Sequence, residues 1–298
     1  MRVSGFSYVR NGFTYGYPFI ESILSVLPLC DEFIMVVGDS MDGTREAVER
    51  INSPKIKIID TVWDETMREG GKLFAQQANI GLDAVTGDWA FHIQADEVIH
   101  EKDIESIKQA MTANFSNAEV EGLLFDFYNF YGGYHHIGST RKWHSKEIRI
   151  VRNLKNIRSY RDSQGFRLYP SLNDYYNGHK GRSLKVKKAN ATVYHYSYAR
   201  DPKTMRKKSN YFNTFWHNDG WIQEHSSSSN DYDYSIVDEV TDFTGTHPAL
   251  MKLKVAAQNW NFTYDASKAE FTFKNKILHF IENKTGKRFW AYKNYKLI

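Results

Sequence analysis

The first 110 residues alternate short apolar segments with amphipathic helical segments, and this pattern constrains the fold more than any other feature. Apolar residues recur at helical spacing after Pro18 and again across 72–85. Between these helical segments lie four runs with the length and composition of buried strands, at 3–9, 33–38, 55–61 and 89–93. Strands separated by helices are typical of βα units. We therefore predict an α/β fold with a mainly parallel central sheet and helices on both faces.

The pattern changes at about residue 120 to shorter, aromatic-rich strands separated by polar loops, as at 122–134, 146–153 and 190–200. Such segments predict a mixed α+β second half that extends the sheet. The small, polar residues of 224–235 indicate a mobile loop, either a lid or an ordinary surface loop. The tail, 271–298, mixes apolar residues with lysines and predicts a basic amphipathic helix. That helix packs on the core or touches a membrane surface.

Cysteine content and charge limit the compartment and the partners. Cys30 is the single cysteine, so no intrachain disulfide forms and a reducing compartment is favoured. No apolar run is long enough for a signal peptide or a membrane span, and we expect a cytoplasmic protein. Residues 1–110 hold 10 basic and 18 acidic residues, whereas 111–298 hold 29 and 17. The basic second half suggests an anionic partner, or only a solvated basic face.

Two acidic turns follow predicted strands. The apolar strand that ends near residue 93 runs into Asp96 and Glu97, and Mg²⁺ or Mn²⁺ prefers such carboxylate ligands. In open α/β sheets, ligands bind at the carboxyl ends of strands. The earlier turn contains Asp39 and Asp42, followed by Gly43 for a tight turn and Thr44 as a helix cap. A carboxylate there can accept hydrogen bonds from a ribose or a base.

Three motifs in order carry a resemblance to a known family. They are the Asp39–Thr44 turn, the helical segment 77–82 with Ala84 and Gly87, and the strand end at 94–97. Together they resemble the amino-terminal half of the family 2 glycosyltransferases, which have the Rossmann-like GT-A fold. The resemblance implies transfer of a sugar from a nucleotide donor to an acceptor hydroxyl, with inversion at the anomeric carbon.

The resemblance also implies roles for individual residues. Asp39 would contact the base or ribose, and Asp96 would bind Mn²⁺ or Mg²⁺ bridging the donor diphosphate. The expected nucleotide site also includes Ser40, Asp42, Lys72, Gln94, Ala95 and Arg200. Gln94 departs from the family, in which this position is usually aspartate. Asp96 would then act with Glu97, water or a distant ligand; the alternative is metal independence, with basic residues of the second half stabilising the diphosphate.

A further metal ligand is expected at His195, in an aromatic strand that resembles a segment of several relatives. A neutral imidazole there could bind the metal or the diphosphate. The plain alternative is a buried, hydrogen-bonded histidine. The cations that follow it could close over phosphate oxygens; they are Arg200, Lys203, Arg206, Lys207 and Lys208.

Inverting transfer also needs a base to accept the proton of the acceptor hydroxyl. We expect Asp162 in this role, because it follows the strand at 146–153 and is flanked by Arg161 and Arg167. Glu147 and Asp126 are the rivals, and a surface ion pair is the plain alternative for Asp162. An acceptor cleft is also expected to be lined by aromatic rings, on which sugars stack.

On this resemblance the chain divides into three parts. Residues 1–115 form the nucleotide-sugar-binding half of a GT-A domain, 116–245 its acceptor-binding half, and 246–298 a C-terminal helical extension. The expected partners are a UDP- or GDP-linked sugar and a glycan or glycolipid acceptor, as in surface polysaccharide or lipopolysaccharide synthesis. Nucleic acid is not expected, and the basic tail could touch the inner face of a membrane.

Two other functions stay open. A nucleotidyltransferase has a related fold, but it would usually show a glycine-rich basic loop after the first strand, which 7–17 lacks. A non-catalytic glycan-binding or scaffold protein is kept open by Gln94.

Overall fold

The structure is a computed structural model that describes residues 1–67, 70–225, 229–269, 273–285, 288 and 292–298. Its strands are β1 (Val3–Val9), β2 (Glu32–Val37), β3 (Ile56–Asp60), β4 (Trp89–His92), β5 (Glu97–Ile99), β6 (Gly122–Tyr131), β7 (His136–Gly138), β8 (Lys146–Arg152), β9 (Ile157–Tyr160), β10 (Gly165–Leu168), β11 (Arg182–Tyr198), β12 (Val240–Asp242) and β13 (Tyr295–Leu297). Its α-helices are α1 (Phe19–Val26), α2 (Thr44–Glu49), α3 (Lys72–Ala84), α4 (Ile104–Ala113), α5 (Leu172–Tyr176), α6 (Pro202–Asn213), α7 (Asp219–His225), α8 (Lys252–Ala256) and α9 (Phe273–Thr285). Short 3₁₀ helices lie at Leu27–Leu29, Glu101–Asp103, Ala249–Met251 and Ala266–Lys268.

The first half of the sheet is parallel. Strands β3, β2, β1 and β4 lie side by side in that order, and every adjacent pair is parallel. Successive residues of β2 alternate between the faces: Phe33 packs in the cluster that includes residues of α1 and α4, whereas Ile34 packs with Ala78 and Leu82 of α3. Helices therefore cover both faces, because each face of the buried strands is apolar. The predicted α/β architecture is confirmed.

The second half is mixed. Strand β8 pairs antiparallel with both β4 and β6, and β6 then pairs parallel with the long strand β11. The hairpin β9–β10 adds antiparallel to the far part of β11. Near its other end β11 pairs antiparallel with β5, which places His195 opposite Glu97. This pairing brings the second half of the chain to the acidic turn at the end of β4.

The C-terminal segment 246–298 contains α8 and α9 but ends in a strand. Strand β13 pairs parallel with β11, with Leu184 opposite Tyr295. The expected helical extension therefore ends in a strand of the sheet. Strand β13 has only three residues, and their composition gave no reason to predict a strand. Part of the predicted tail helix, at 271–272, 286–287 and 289–291, lies outside the described residues. None of the helices in the described part of the chain has the length and apolar composition of a membrane-spanning segment.

The polar segment 224–235 is partly packed against the core. Its residues 226–228 lie outside the described part of the chain. Beyond them, Tyr234 is buried, and its hydroxyl donates to the carbonyl oxygen of Arg200 at 2.9 Å. The backbone N–H of Tyr232 donates to the carbonyl oxygen of Pro202. This stretch therefore lies against the start of α6.

Candidate active site

A cavity of about 390 Å³ lies at the carboxyl ends of β1 and β4, and α6 forms part of its wall. Its charged and imidazole side chains are Arg10, Asp96, His144, Glu147, Arg149, Asp162, His195 and Lys208. Aromatic rings form much of the remaining wall, at Tyr8, Tyr15, Tyr17, Trp63, Phe74, Tyr198, Tyr211, Phe212 and Trp216. Of the predicted site residues, five line this cavity: Gln94, Ala95, Asp96, Asp162 and His195.

The position of Asp96 is determined by a tight turn that Glu97 stabilises. The backbone N–H of Glu97 donates to the carbonyl oxygen of Gln94 at 3.0 Å, and the Gln94 N–H donates to Oε2 of Glu97 at 3.1 Å. The Glu97 carboxylate is fully buried and accepts from Nε and Nη2 of Arg149 at 2.7 and 2.5 Å. Glu97 is therefore half of a buried ion pair, and it does not act with Asp96 as a metal ligand.

The two oxygens of the Asp96 carboxylate face different partners. Oδ1 lies 3.6 Å from Nε2 of His195. Oδ2 lies 3.3 Å from Nζ of Lys208 and 3.6 Å from Nη2 of Arg200. Burial alone would raise the pKa of Asp96, but the neighbouring cations Lys208 and Arg200 outweigh it and lower the pKa well below its usual range. Burial also lowers the pKa of Lys208 to about 7, although Asp96 favours its charged form. Asp96 is thus held ionised inside the protein, and a bound phosphate would further favour the charged form of Lys208.

A chain of hydrogen bonds determines which nitrogen of His195 faces Asp96. Nδ2 of Asn129 donates to the carbonyl oxygen of His144 at 2.8 Å, so its Oδ1 is the atom that lies 2.9 Å from Nδ1 of His195. An amide oxygen only accepts, and Nδ1 therefore carries the hydrogen. Burial lowers the pKa of His195 and favours the neutral ring. The lone pair of Nε2 is then directed towards Asp96.

This arrangement fits a divalent cation. An imidazole lone pair and a carboxylate oxygen face each other, and a cation between them would satisfy both. Within the described part of the chain, no group of three or more His, Cys, Asp or Glu residues is placed to hold a metal ion. Water and donor phosphates would therefore supply the remaining ligands, as they commonly do for Mg²⁺. Gln94 is turned elsewhere, because its Nε2 donates to the carbonyl oxygen of Ser163 at 3.1 Å.

Sequence reasoning did not single out Lys208 from the neighbouring cations. Its side chain is buried, and Nζ donates to the carbonyl oxygen and Oγ of Ser197 at 3.1 and 2.9 Å. The signal was available: Met205, Lys208 and Phe212 follow helical spacing, which places this lysine on the apolar face of α6. Lys207, one residue earlier, is exposed.

Arg200 lies behind Asp96 and is not among the residues that line the cavity. Its Nε donates to the carbonyl oxygen of Tyr15 at 2.7 Å, and Nη1 donates to that of Tyr196 at 3.1 Å. The guanidinium also lies 4.7 Å from the ring centre of Tyr17. The structure therefore places this predicted nucleotide ligand where it supports Asp96.

The first acidic turn adjoins the cavity through Arg10 and Trp63. Asp39 accepts from Nη2 of Arg10 at 2.9 Å and from the backbone N–H of Trp63 at 3.2 Å. Ser40 and Asp42 accept from backbone N–H groups of the 11–14 loop, at 2.9 and 2.7 Å. Gly43 has φ = 81°, a left-handed conformation that glycine adopts without strain. None of the predicted ligands Asp39, Ser40, Asp42 and Lys72 lines the cavity itself, and Lys72 is exposed at the start of α3.

Asp162 lines the cavity from a strained turn between β9 and β10. Its neighbours Arg161 and Ser163 have φ = 56° and 61°, left-handed conformations that cost about 1–3 kcal/mol each in residues other than glycine. Such strain concentrates at functional sites. Burial raises the pKa of Asp162.

The two rival acids differ in position. Glu147 also lines the cavity, accepts from Nδ2 of Asn294 at 2.9 Å, and has its pKa raised to about 7 by burial. Asp126 is half-exposed, pairs with Lys146 and does not line the cavity. Two candidate bases therefore remain inside the cavity, Asp162 and Glu147.

The sequence model for "Glycosyl transferase family 2" matches residues 11–179, which is more than half of the 298 residues. This chain belongs to glycosyl transferase family 2. The expected GT-A fold is confirmed, and the three sequence motifs lie within the matched range. The match ends before β11 and α6, which bring His195 and Lys208 to the cavity. Among curated proteins, none matches the sequence.

Several solved structures are similar to this chain at low identity. Staphylococcus aureus TarS 1–349 is 13% identical over 71% of this chain and 64% of its own, with a TM-score of 0.39. Glucosyl-3-phosphoglycerate synthase from Mycobacterium tuberculosis, with Mn²⁺, UDP and phosphoglyceric acid, is 18% identical over 44% of each chain, with a TM-score of 0.29. Mannosyltransferase PcManGT from Pyrobaculum calidifontis, with GDP-Man and Mn²⁺, is 21% identical over 44% of this chain and 35% of its own, with a TM-score of 0.31. This chain thus spans less than two thirds of the length of each, and donor and metal must be inferred from its own residues.

Proposed function

We propose that this protein is an inverting glycosyltransferase that moves a sugar from a nucleoside diphosphate donor to an acceptor hydroxyl. One observation carries the proposal: Asp96 is held ionised between His195 and two buried cations, in a cavity that also contains Asp162. An anionic ligand centre and a separate carboxylate base are the two parts that such a displacement requires. Membership of the family supports the same class of reaction.

In the proposed step, the oxygen of the acceptor hydroxyl attacks the anomeric carbon of the donor sugar. The bond from that carbon to the diphosphate oxygen breaks on the opposite face, and its electron pair leaves with the nucleoside diphosphate. The proton of the hydroxyl passes to the Asp162 carboxylate. The raised pKa of Asp162 supports this role, because a stronger base accepts the proton more readily.

Charge develops on the leaving diphosphate, and buried cations would stabilise it. Lys208 is the cation best placed for this, because its Nζ lies inside the cavity wall at 3.3 Å from Asp96. Asp96 and His195 would hold Mn²⁺ or Mg²⁺, which when bound would neutralise part of the same charge. Low local dielectric strengthens each of these interactions.

The aromatic wall supports a sugar as the transferred group and a glycan as the acceptor. Trp63, Phe74, Phe212 and Trp216 line the cavity, and the C–H faces of sugars commonly stack on aromatic rings. We further propose a UDP- or GDP-linked donor and a glycan or glycolipid acceptor in surface polysaccharide or lipopolysaccharide synthesis. A cytoplasmic location, with the basic tail at the inner face of the membrane, completes the proposal. The proposed membrane contact is supported by the excess of basic residues in 111–298.

Calorimetry with UDP, GDP and dTDP in the presence of Mn²⁺ tests the class and the donor together. Wild type should bind one nucleotide, and Asp96→Ala should bind it at least about tenfold more weakly. If no nucleotide bound to the wild type, the transferase proposal would fail. A non-catalytic glycan-binding protein would bind glycan without any nucleotide. A nucleotidyltransferase would turn over a nucleoside triphosphate and a sugar phosphate.

Asp162→Asn and Glu147→Gln make the same carboxylate-to-amide change at the two candidate bases. Transfer should fall by about 10²–10⁴-fold in Asp162→Asn while donor affinity is retained. Near-full transfer in Asp162→Asn, with a large loss in Glu147→Gln, would assign the base to Glu147 instead.

Membrane contact is tested by co-sedimentation with anionic vesicles. Truncation of the tail is unsuitable because β13 belongs to the sheet. A variant with Lys274, Lys276 and Lys284 all changed to glutamate should bind the vesicles more weakly than wild type. Equal sedimentation would rule out this contact.

A further inference from the structure

The side chain of Gln94 reaches the turn that carries Asp162. Its Nε2 donates to the carbonyl oxygen of Ser163 at 3.1 Å, and Ser163 is the residue next to Asp162. Gln94 is also two residues before Asp96, at the end of β4. One side chain thus connects the turn that places Asp96 with the turn that places Asp162.

The turn at 161–164 is held from two other directions. Asn79 of α3 donates to the carbonyl oxygen of Ser159 at 3.0 Å and accepts from its N–H at 2.9 Å. The hydroxyl of Ser163 lies 3.3 Å from Nε2 of His92. Gly71, at the start of α3, packs so closely that an added Cβ would lie 2.6 Å from Cβ of Asp162. These contacts hold the hairpin but leave the carbonyl of Ser163 to Gln94.

The turn requires such support because of its backbone. Arg161 and Ser163, on either side of Asp162, both have left-handed φ values. Non-glycine residues remain in this conformation only when surrounding contacts determine it. Loss of this hydrogen bond would free the peptide between Ser163 and Gln164 to rotate. The turn would then relax, and the adjacent Asp162 carboxylate would move with it.

We propose that Gln94 is a positioning residue, which holds the 161–164 turn so that Asp162 faces the cavity. This inference rests on the proposed function, in which Asp162 is the base. Glutamine suits the task because its amide donates a hydrogen bond, whereas an aspartate is one methylene shorter and only accepts. A carboxylate at this position could not donate to the carbonyl oxygen of Ser163, because both groups only accept hydrogen bonds. The departure from the family motif is therefore a change of role, from ligand to support.

Hydrogen exchange tests the contact without reference to activity. Gln94→Met keeps the length and neutrality of the side chain but removes the donor. Exchange in a peptide covering 157–168 should become about tenfold faster, while a peptide covering 32–44 stays unchanged. Gln76→Met is the matched control, because Gln76 is exposed on α3. Unchanged exchange in 157–168 would overturn the proposal.

Kinetics then separate positioning from donor binding. Gln94→Met and Gln94→Asp should both lower kcat about 10–100-fold, with the Kd of the nucleotide changed by less than about threefold. In the Asp162→Asn background, Gln94→Met should have no further effect on kcat, because the residue that it positions is gone. Full additivity of the two changes would overturn the proposal. So would a Gln94→Asp variant that equals or exceeds wild type, since this variant restores the usual motif.

Failure of the proposed function has a different signature. A wild-type protein that bound no nucleotide would remove the transferase assignment. The exchange measurement would still show whether Gln94 holds the turn.

Discussion

Oδ1 of Asn129 lies 2.9 Å from Nδ1 of His195, and this contact determines which histidine nitrogen faces the cavity. The amide is oriented by its own hydrogen bond to the carbonyl oxygen of His144. As a result, Nε2 of His195 meets Asp96 with its lone pair. His195 and Asp96 would thus be oriented before the proposed cation binds.

Asn129→Leu should therefore weaken Mn²⁺ binding. Removal of the acceptor frees the imidazole to rotate or change tautomer, and such losses of support typically cost 10–100-fold in metal affinity. Calorimetric titration of Mn²⁺ in the presence of the preferred nucleoside diphosphate measures this. Asn129→Asp keeps an acceptor for Nδ1 and should bind Mn²⁺ more tightly than Asn129→Leu. Equal affinities in the two variants would contradict the role assigned to Asn129.

Lys208→Met should lower kcat for transfer by about 10²–10³-fold, because it removes the buried cation beside Asp96 that would stabilise the leaving diphosphate. Lys207→Met makes the same change at the neighbouring exposed lysine and should leave kcat within about twofold. Steady-state kinetics with saturating donor measure both. Similar losses in the two variants would mean that net charge, and not the position of Lys208, matters.

Arg149→Met should destabilise the protein by about 3–5 kcal/mol, because it leaves the fully buried Glu97 carboxylate without its partner. The double variant Glu97→Gln/Arg149→Met should recover part of this loss. Glu119→Gln, in an exposed pair with Lys185, should cost no more than about 1 kcal/mol. Urea denaturation gives the free energy of unfolding for each. A loss below about 1 kcal/mol in Arg149→Met would contradict the importance of this buried ion pair.

Glu147 should make the stability of the ligand-free protein depend on pH. Burial raises its pKa from 4.5 to about 7. Below the lower value, both the folded and the unfolded chain carry the proton. As pH rises from 4.5 to about 7, the unfolded chain releases the proton first, so the free energy of unfolding falls. Above the folded pKa the loss is complete and amounts to about 3 kcal/mol.

Glu147→Gln removes this titration. Compared with wild type, its free energy of unfolding should gain about 3 kcal/mol between about pH 4.5 and about pH 8. Urea denaturation in metal-free buffer at the two pH values measures the difference. Glu119→Gln is the control for an exposed glutamate. A constant offset between Glu147→Gln and wild type would contradict the raised pKa.

Much of the first half could be predicted from local pattern. Strand β1 begins and ends at the predicted residues, and β2, β3 and β4 agree within one residue at each end. Buried parallel strands are apolar along their whole length, so they can be recognised in the sequence without knowledge of the strands with which they pair. The second half was harder: β11 runs over 17 residues, longer than its aromatic core suggested, and β13 was not predicted. Both depend on pairing with strands that are distant in sequence.

The sequence by itself determined the fold class, the family, and the acid at the end of β4 around which the site is built. These follow from periodicity and from motifs contained within short segments. Only the tertiary structure decided what surrounds that acid. Glu97 forms an ion pair with Arg149, Lys208 of α6 contacts Asp96, and Gln94 donates a hydrogen bond to the turn that contains Asp162. The reason is physical, since each contact joins residues from different segments. Strand pairing and helix packing, and not local composition, bring those segments together.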